Sequence, residues 1–515
     1  MLPGERGGVL AELRLRDVLL RNVDCYGAEP AVVCGDEVVT WRGLAERVFR
    51  LAGRMAHDGI GRGDRVGVLQ GNGPEIGEVA FAAALLGSVL VPISPRLTSA
   101  EVAYLVKDAE LRLAFVERGH PSTDGFGDVP IVATRGADYA GYRDQGPDRE
   151  PVEQEDPGDP VLQLYTSGTT GRPKGALLTQ RALIQNGLTI QLSQQLTHDD
   201  VFLTTTPLTH AAAGTRIFSL AVDGLTHAIL ERFTPELFFE AVRRHRVTST
   251  IVVPTMLRDL VDSPALPGAD LSSLRFVVYG AAPASEELIL DALDRLPCGL
   301  LQGYGLTEGC PALASLSPDE HRRFAVDPAQ RRRLQSVGRP VPGVRFRVVG
   351  PAGEPLGPDA AGEIQVRSTK SMTGYWHLPE ETAGAAVDGW LSTGDVGMQD
   401  AGGYLYLLGR HQDVIISGGF NVYPAEIERV LGQHGAVREV AVVGVPDARW
   451  GEVPVAVVVA DTAVTTDELL RHCAGELADY KRPRRIELVD ALPRNETGKV
   501  LKRELREAMA RPLTT

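Results

Sequence analysis

The stretch LYTSGTTGRPKGALL, Leu164 to Leu178, gathers hydroxyls, glycines and a lysine into one short span. Backbone N–H groups turned inward by a glycine-rich loop form a concave nest for phosphate oxygens, and side-chain hydroxyls add donors. Thr166, Ser167, Thr169 and Thr170 would supply the hydroxyls, Gly168 and Gly171 the backbone freedom, and Lys174 the charge. It is not a Walker loop: only two residues separate Gly168 from Gly171, and Gly175 replaces the Mg²⁺-ligating Ser or Thr. The same composition also builds an ordinary polar turn, so the loop alone leaves both readings open.

Other stretches could join it. QGYGLTEG, Gln302 to Gly309, ends an apolar run in a polar turn, the place where an α/β sheet presents ligand groups. Glu308 is an oxygen ligand suited to a hard divalent ion, although Thr307 and Glu308 after a glycine read equally as a helix N-cap. In VVYGAAP, Gly280, Ala281 and Ala282 are small enough for a flat base to lie against them, or simply for core packing. Asp395 in LSTGDVG has the composition of a turn. Lys499 in LPRNETGKVLKREL has that of a solvated, mixed-charge helix start. His210 in TPLTHAAAG stands alone, and a lone histidine is more often structural than functional.

YTSGTTGRPKG resembles, residue for residue, the phosphate-loop signature of the acyl-adenylate-forming superfamily, which includes acyl- and aryl-CoA ligases, luciferases and nonribosomal adenylation domains. The other stretches are similar to further motifs of that superfamily and follow in its chain order. The resemblance implies an ATP site: the phosphate loop, the adenine-edge turn at Gly280 to Ala282, Gly303 with the Tyr304 ring against the base, and Thr307 near the α-phosphate. It further implies Glu308 on Mg²⁺, Asp395 on the ribose with Arg410 as companion, and Lys499 as the catalytic lysine of a C-terminal domain. His210 falls where the family has an aromatic or His residue beside the acyl pocket, and would gate access for the thiol.

The implied chemistry has two halves. A carboxylate attacks the α-phosphorus of ATP, giving an acyl-adenylate and pyrophosphate, and a thiol then displaces AMP. A carboxylate is already ionised at neutral pH, so no nucleophilic triad is needed; charge neutralisation at Glu308 and Lys499 should dominate. In the family the small domain rotates between the halves, and ISGGFNVYPAEIE fits the strand it brings in, with Gly418 and Gly419 letting a pantetheine arm pass close to backbone. The resemblance implies Gln412 as the hinge, where the family usually has Asp or Lys, so this chain departs from the pattern in charge.

DARWGEVPVAVVV and DYKRPRR look like the CoA-ligase branch. Trp450 would stack on the nucleotide, with Tyr480, Arg482 and Arg484 facing the ring and phosphates, unless the basic cluster is only a solvated patch. Coenzyme A is the expected acceptor; a carrier-protein thiol or an amine is the alternative. No Asp for an α-amino group is visible near PLTHAAAG, which disfavours an amino-acid substrate. The acyl pocket is expected from THAAAGTRIF, VVPTML, GAAP and GLTEGCPAL: Ala211, Ala212, Ala213, Val253, Met256, Pro311, Ala312 and Leu313 are apolar and suit an aryl or aliphatic acid.

These residues need a scaffold to position them. Strand-like runs such as RVGVLQ, VLVPI, RLAFV and STIVVP alternate with helical patterns such as LTSAEVAYLVKDA, where Thr98 or Ser99 can cap. That alternation implies an α/β protein on parallel sheets. From about Gly338 the texture becomes short strands with Gly and Pro turns, an expected antiparallel β subdomain. The expected organisation is a large N-terminal domain with several subdomains, 1–410, and a small mobile α+β C-terminal domain, 411–515.

Composition narrows the partners. A formal charge of -14 opposes wholesale binding to nucleic acid or anionic membrane, so any anion site must be local. Scattered cysteines without CxxC spacing argue against a zinc knuckle or a disulfide scaffold. The longest apolar run, Val79 to Ile93, is short of a membrane span and is broken by Gly87, Ser88 and Pro92; it reads as a buried helix running into a strand. The charged N-terminal stretch lacks a signal-peptide core. A cytoplasmic monomer or homodimer without integral membrane segments is expected.

Overall fold

The computed structural model describes residues 13–147, 149–151, 155–167, 172–418, 420–447, 449–494 and 500–510. Its largest sheet has nine strands. Parallel pairing runs from Pro30–Cys34 through Thr226–Ile229, Val201–Thr204, Ser249–Val252 and Phe276–Gly280 to Gly299–Tyr304, and short antiparallel strands close both edges. Parallel strands all end on one side, so Val252, Gly280 and Tyr304 finish at a common rim where a ligand can sit.

A second sheet has seven strands. Ile131–Thr134, Leu111–Glu117, Arg65–Leu69, Val89–Ile93 and Pro160–Ser167 run parallel, and the sheet turns antiparallel at Pro173–Thr179 and Gly374–Tyr375. The run from Val79 to Ile93 behaves as its composition requires: the helix Pro74–Leu85 starts with Pro at its first position and leads into Val89–Ile93, every residue of which is buried. The helix Ser99–Asp108 starts from Thr98, which accepts the Glu101 N–H while the Glu101 carboxylate returns to the Thr98 N–H at 2.9 Å. Between the two alternatives for that cap, Thr98 takes it.

Beyond Gly338 the chain forms an antiparallel sheet of Val344–Val349, Gly362–Ser368, Trp390–Gln399, Ala386–Val387 and Leu405–Arg410. A separate sheet follows, containing Ile415–Ser417, Phe420–Val422, Val437–Asp447, Gly451–Ala460 and Arg485–Leu488. Its core is its own, built on Ile415, Ile427, Val442, Val458, Leu469 and Ile486. The protein is thus an α/β molecule with a large N-terminal part on parallel sheets and a small α+β C-terminal part. Among the described residues no helix is long and apolar enough to cross a membrane.

Candidate active site

The phosphate loop is carried by a hairpin. Pro160–Ser167 pairs antiparallel with Pro173–Thr179, placing Thr166 opposite Lys174. Gly168, Thr169, Thr170 and Gly171 lie outside the described residues, as does the side chain of Ser167. Where the hairpin ends, Thr166 Oγ1 donates to Glu308 Oε1 at 3.2 Å, and Tyr375 Oη donates to the same oxygen at 2.9 Å. Glu308 belongs to the 3₁₀ turn Thr307–Gly309, and its carbonyl accepts the Met372 N–H at 2.7 Å. The Lys174 ammonium stands 5.4 Å from the Tyr375 ring centroid. Burial, then the Glu308 charge, push the Tyr375 phenol upward, so it stays a donor at neutral pH. A hydroxyl, a carboxylate and a cation from three distant segments therefore converge.

Tyr375 escaped the sequence reading. It sits opposite Ala176 because the short strand Gly374–Tyr375 adds to the hairpin's outer edge, a pairing that no local pattern announces.

Tyr304 and Asp395 meet as well. Tyr304 Oη donates to Asp395 Oδ2 at 2.6 Å, while Asp395 Oδ1 pairs with Arg410 Nε at 2.9 Å. Asp395 and Arg410 are cross-strand partners, and Arg410 Nη1 also donates to the Thr393 carbonyl at 3.0 Å. The Tyr304 ring is only 8% exposed and packs with Leu313, Val337 and Val341, so most of it serves the core.

At the rim the backbone is tight and strained. A Cβ on Gly305 would lie 1.4 Å from the Pro311 carbonyl oxygen, so no other residue fits there. A Cβ on Gly280 would lie 2.2 Å from the Gly303 carbonyl oxygen; that glycine is demanded by its neighbouring strand. Ala281, at φ 65°, and Cys310, at φ 50°, take left-handed backbone without being glycine. Strain of this kind persists where surrounding structure enforces it, commonly at ligand sites.

The expected acyl-pocket residues divide. Ala211, Ala212, Met256, Pro311 and Ala312 remain partly exposed. Ala213 and Leu313 are 0% exposed inside core clusters, and Val253 is 6% exposed, so these three support the wall from behind. His210, with extended backbone angles, closes the turn from Pro207 and precedes the short helix Ala211–Gly214. A buried lysine that the sequence reading did not single out pins the wall: Lys370 Nζ donates to Asn186 Oδ1 at 2.8 Å and to the Ala312 carbonyl. Asn186 Oδ1 also accepts the Ala312 N–H at 3.3 Å. Burial lowers the Lys370 pKa to about 8.

In the C-terminal part, Gly418 has φ 58°, and a Cβ there would meet Trp450 Cε3 at 2.8 Å. Arg484 lies over the Trp450 ring at 5.8 Å, and Tyr480 packs on Phe420 with centroids 5.0 Å apart. Arg482 is placed differently from the expectation. Its Nε donates to the Leu477 carbonyl at 2.8 Å and its Nη2 to the Ala474 carbonyl at 3.0 Å, capping the end of the helix Thr466–Glu476. Gln412 is exposed in the turn His411–Asp413. Gly419 and Lys499 lie outside the described residues.

Residues 19–376 match the family model for AMP-binding enzyme, and residues 426–499 match that for AMP-binding enzyme C-terminal domain. The chain belongs to the AMP-binding enzyme family, the adenylate-forming group that its motifs resemble. It is 37% identical over 513 residues to indoleacetate–CoA ligase of Aromatoleum aromaticum, covering 97% of this chain and 99% of that one. Fatty acid–acyl-carrier-protein ligase ScoC of Streptomyces coeruleorubidus is 36% identical, with 93% of each chain covered. The solved structure of the amide bond synthetase McbA from Marinactinospora thermotolerans superposes with a TM-score of 0.86 at 32% identity, covering 96% of this chain and 99% of that one.

Proposed function

We propose that this chain joins a carboxylic acid to the thiol of coenzyme A at the expense of ATP. A carboxylate oxygen of the acid attacks the α-phosphorus and pyrophosphate leaves, giving acyl-AMP. The CoA sulfur then attacks the acyl carbon and AMP departs as the thioester forms. The convergence of Thr166, Glu308 and Tyr375 carries this reading, since it ties the phosphate hairpin to the turn at the end of the strand Gly299–Tyr304.

Two anions must approach each other, so catalysis rests on neutralising charge and fixing direction. Lys174 supplies one cation at the hairpin, and Lys499 is assigned the other at the α-phosphate. Asp395, held by Tyr304 and Arg410, takes the ribose hydroxyls. Thr307 lies one residue from Glu308 and orients the α-phosphate. The donor set fits Mg²⁺: Glu308 offers a hard carboxylate, and no cluster of three or more His, Cys, Asp or Glu gathers among the described residues, so phosphate oxygens and water would complete the shell. When bound, that ion supplies charge neutralisation on the phosphates.

Trp450, Tyr480 and Arg484 form the aromatic and basic face assigned to CoA, with Gly418 and Gly419 passing the pantetheine arm and Gln412 as the hinge. His210 guards the approach to the acyl carbon. The enzyme is read as cytoplasmic, a monomer or homodimer, divided near residue 410. A carrier-protein thiol or an amine as acceptor is the second reading, supported by the names of ScoC and McbA.

Exchange of labelled pyrophosphate into ATP, run over a panel of carboxylates with and without CoA, tests both readings. The first expects exchange with some acid and CoA-dependent AMP release. Exchange that CoA leaves without thioester favours the second, and no exchange with any acid refutes both.

A further inference from the structure

Arg216 opens the short helix Arg216–Ser219, a few residues beyond the alanines assigned to the acyl pocket. It is 4% exposed, and its Nε and Nη1 are enclosed without a hydrogen-bond partner among the described residues. Its guanidinium lies 4.2 Å from the centroid of the Phe202 ring. Burial alone accounts for its lowered pKa, about 9, with no carboxylate acting against that shift. It is therefore a cation at neutral pH with no carboxylate counter-ion among the described residues. The neighbouring His227 offers none: its Nε2 is 2.8 Å from Thr204 Oγ1, and burial, then the Arg216 charge, keep it neutral down to about pH 3.

Strand register places this group with respect to the site. Phe202, Ile251, Val278 and Leu301 share one face of the nine-stranded sheet, and Ala312 packs against the same cluster. Ile251 and Ala312 are its partly exposed members, so the cluster opens beside the loop that follows Glu308. The guanidinium over Phe202 thus packs on the sheet face whose hydrophobic cluster reaches Ala312, beside the loop that follows Glu308. Ser249 Oγ, next to Phe202 in register on that face, is likewise buried without a partner.

An apolar side chain of similar size would fill such a position more stably than an unpaired cation. A ligand that brings the opposite charge removes the penalty. We propose that Arg216 is the specificity-determining residue for the acyl group, binding the distal carboxylate of a dicarboxylic acid whose other carboxylate is adenylated. This deepens the adenylation reading and rests on it. The unpaired N–H donors can be satisfied only by a hydrogen-bond acceptor, and a carboxylate supplies both the acceptor oxygens and the opposite charge.

The test compares dicarboxylic acids, both aliphatic and aromatic, with their monomethyl esters in pyrophosphate exchange and in thermal melting. The wild type should favour at least one diacid over its ester by tenfold or more in kcat/KM, and that diacid should raise the melting temperature. Arg216→Met should reverse the preference and lose the diacid-dependent rise, while melting no lower than wild type without ligand. Arg216→Lys should keep part of the preference. An unchanged diacid-to-ester ratio in Arg216→Met overturns the proposal, as does a wild type that no diacid stabilises. Absence of exchange with every acid would count against adenylation itself, and the melting series would still judge the anion site.

Discussion

Tyr304 and Asp395, residues of two different sheets, share a 2.6 Å hydrogen bond, with the phenol as donor. The side chain assigned to adenine and the one assigned to ribose therefore form one unit, completed by Arg410 at 2.9 Å. Tyr304→Phe keeps the ring and removes the bond. We expect the KM for ATP to rise several-fold with stability falling by about 1 kcal/mol, read by exchange kinetics and urea denaturation. A KM unchanged from wild type would separate Asp395 orientation from nucleotide binding.

Glu308 accepts from both Thr166 and Tyr375 at one oxygen. Glu308→Gln keeps the shape and loses the charge. Exchange should fall on the order of 10²-fold or more, and titration with Mg²⁺ should show a weakened dependence. Tyr375→Phe should have a smaller effect in the same direction, since the hydroxyl only orients the carboxylate.

Lys499 is assigned to the first half-reaction alone. Lys499→Ala should nearly abolish adenylate formation while thiolysis of supplied acyl-AMP continues. Equal loss in both halves would contradict a small domain that presents different faces in turn.

Lys370 gives a dependence of stability on pH. Its folded-state pKa, about 8, lies below the ordinary lysine value of 10.5 because the ammonium is desolvated. Between those values the unfolded chain holds more protons than the folded one, so the Lys370 contribution becomes more favourable as pH rises. Below pH 8 both states are protonated and the contribution is level. The stability of wild type relative to Lys370→Met should therefore climb from pH 8 toward 10, by an amount on the order of 3 kcal/mol at full effect; denaturant midpoints of the two proteins measured across that range decide it.

The strand Gly299–Tyr304 and the turn Thr307–Gly309 after it were legible because their signal is local: an apolar run ending in a polar turn announces the rim of a sheet. The helix cap is equally short-range: of Thr98 and Ser99, which the pattern left open, Thr98 takes it, in a box with Glu101. Arg482 shows the limit: its basic neighbourhood read as a CoA face, yet the nearby helix end had free carbonyls that claimed the guanidinium.

The amino-acid order determined by itself which segments become strands and helices, and which side chains could meet a nucleotide, because propensity, capping and motif spacing act over a few residues. Only the tertiary structure decided that Tyr375 reaches Glu308, that Lys370 pins the Ala312 loop, and that Arg216 is buried with no counter-charge among the described residues. Those facts depend on which distant elements pack together and how much water they exclude, and neither burial nor the lack of a partner is a property of a linear chain.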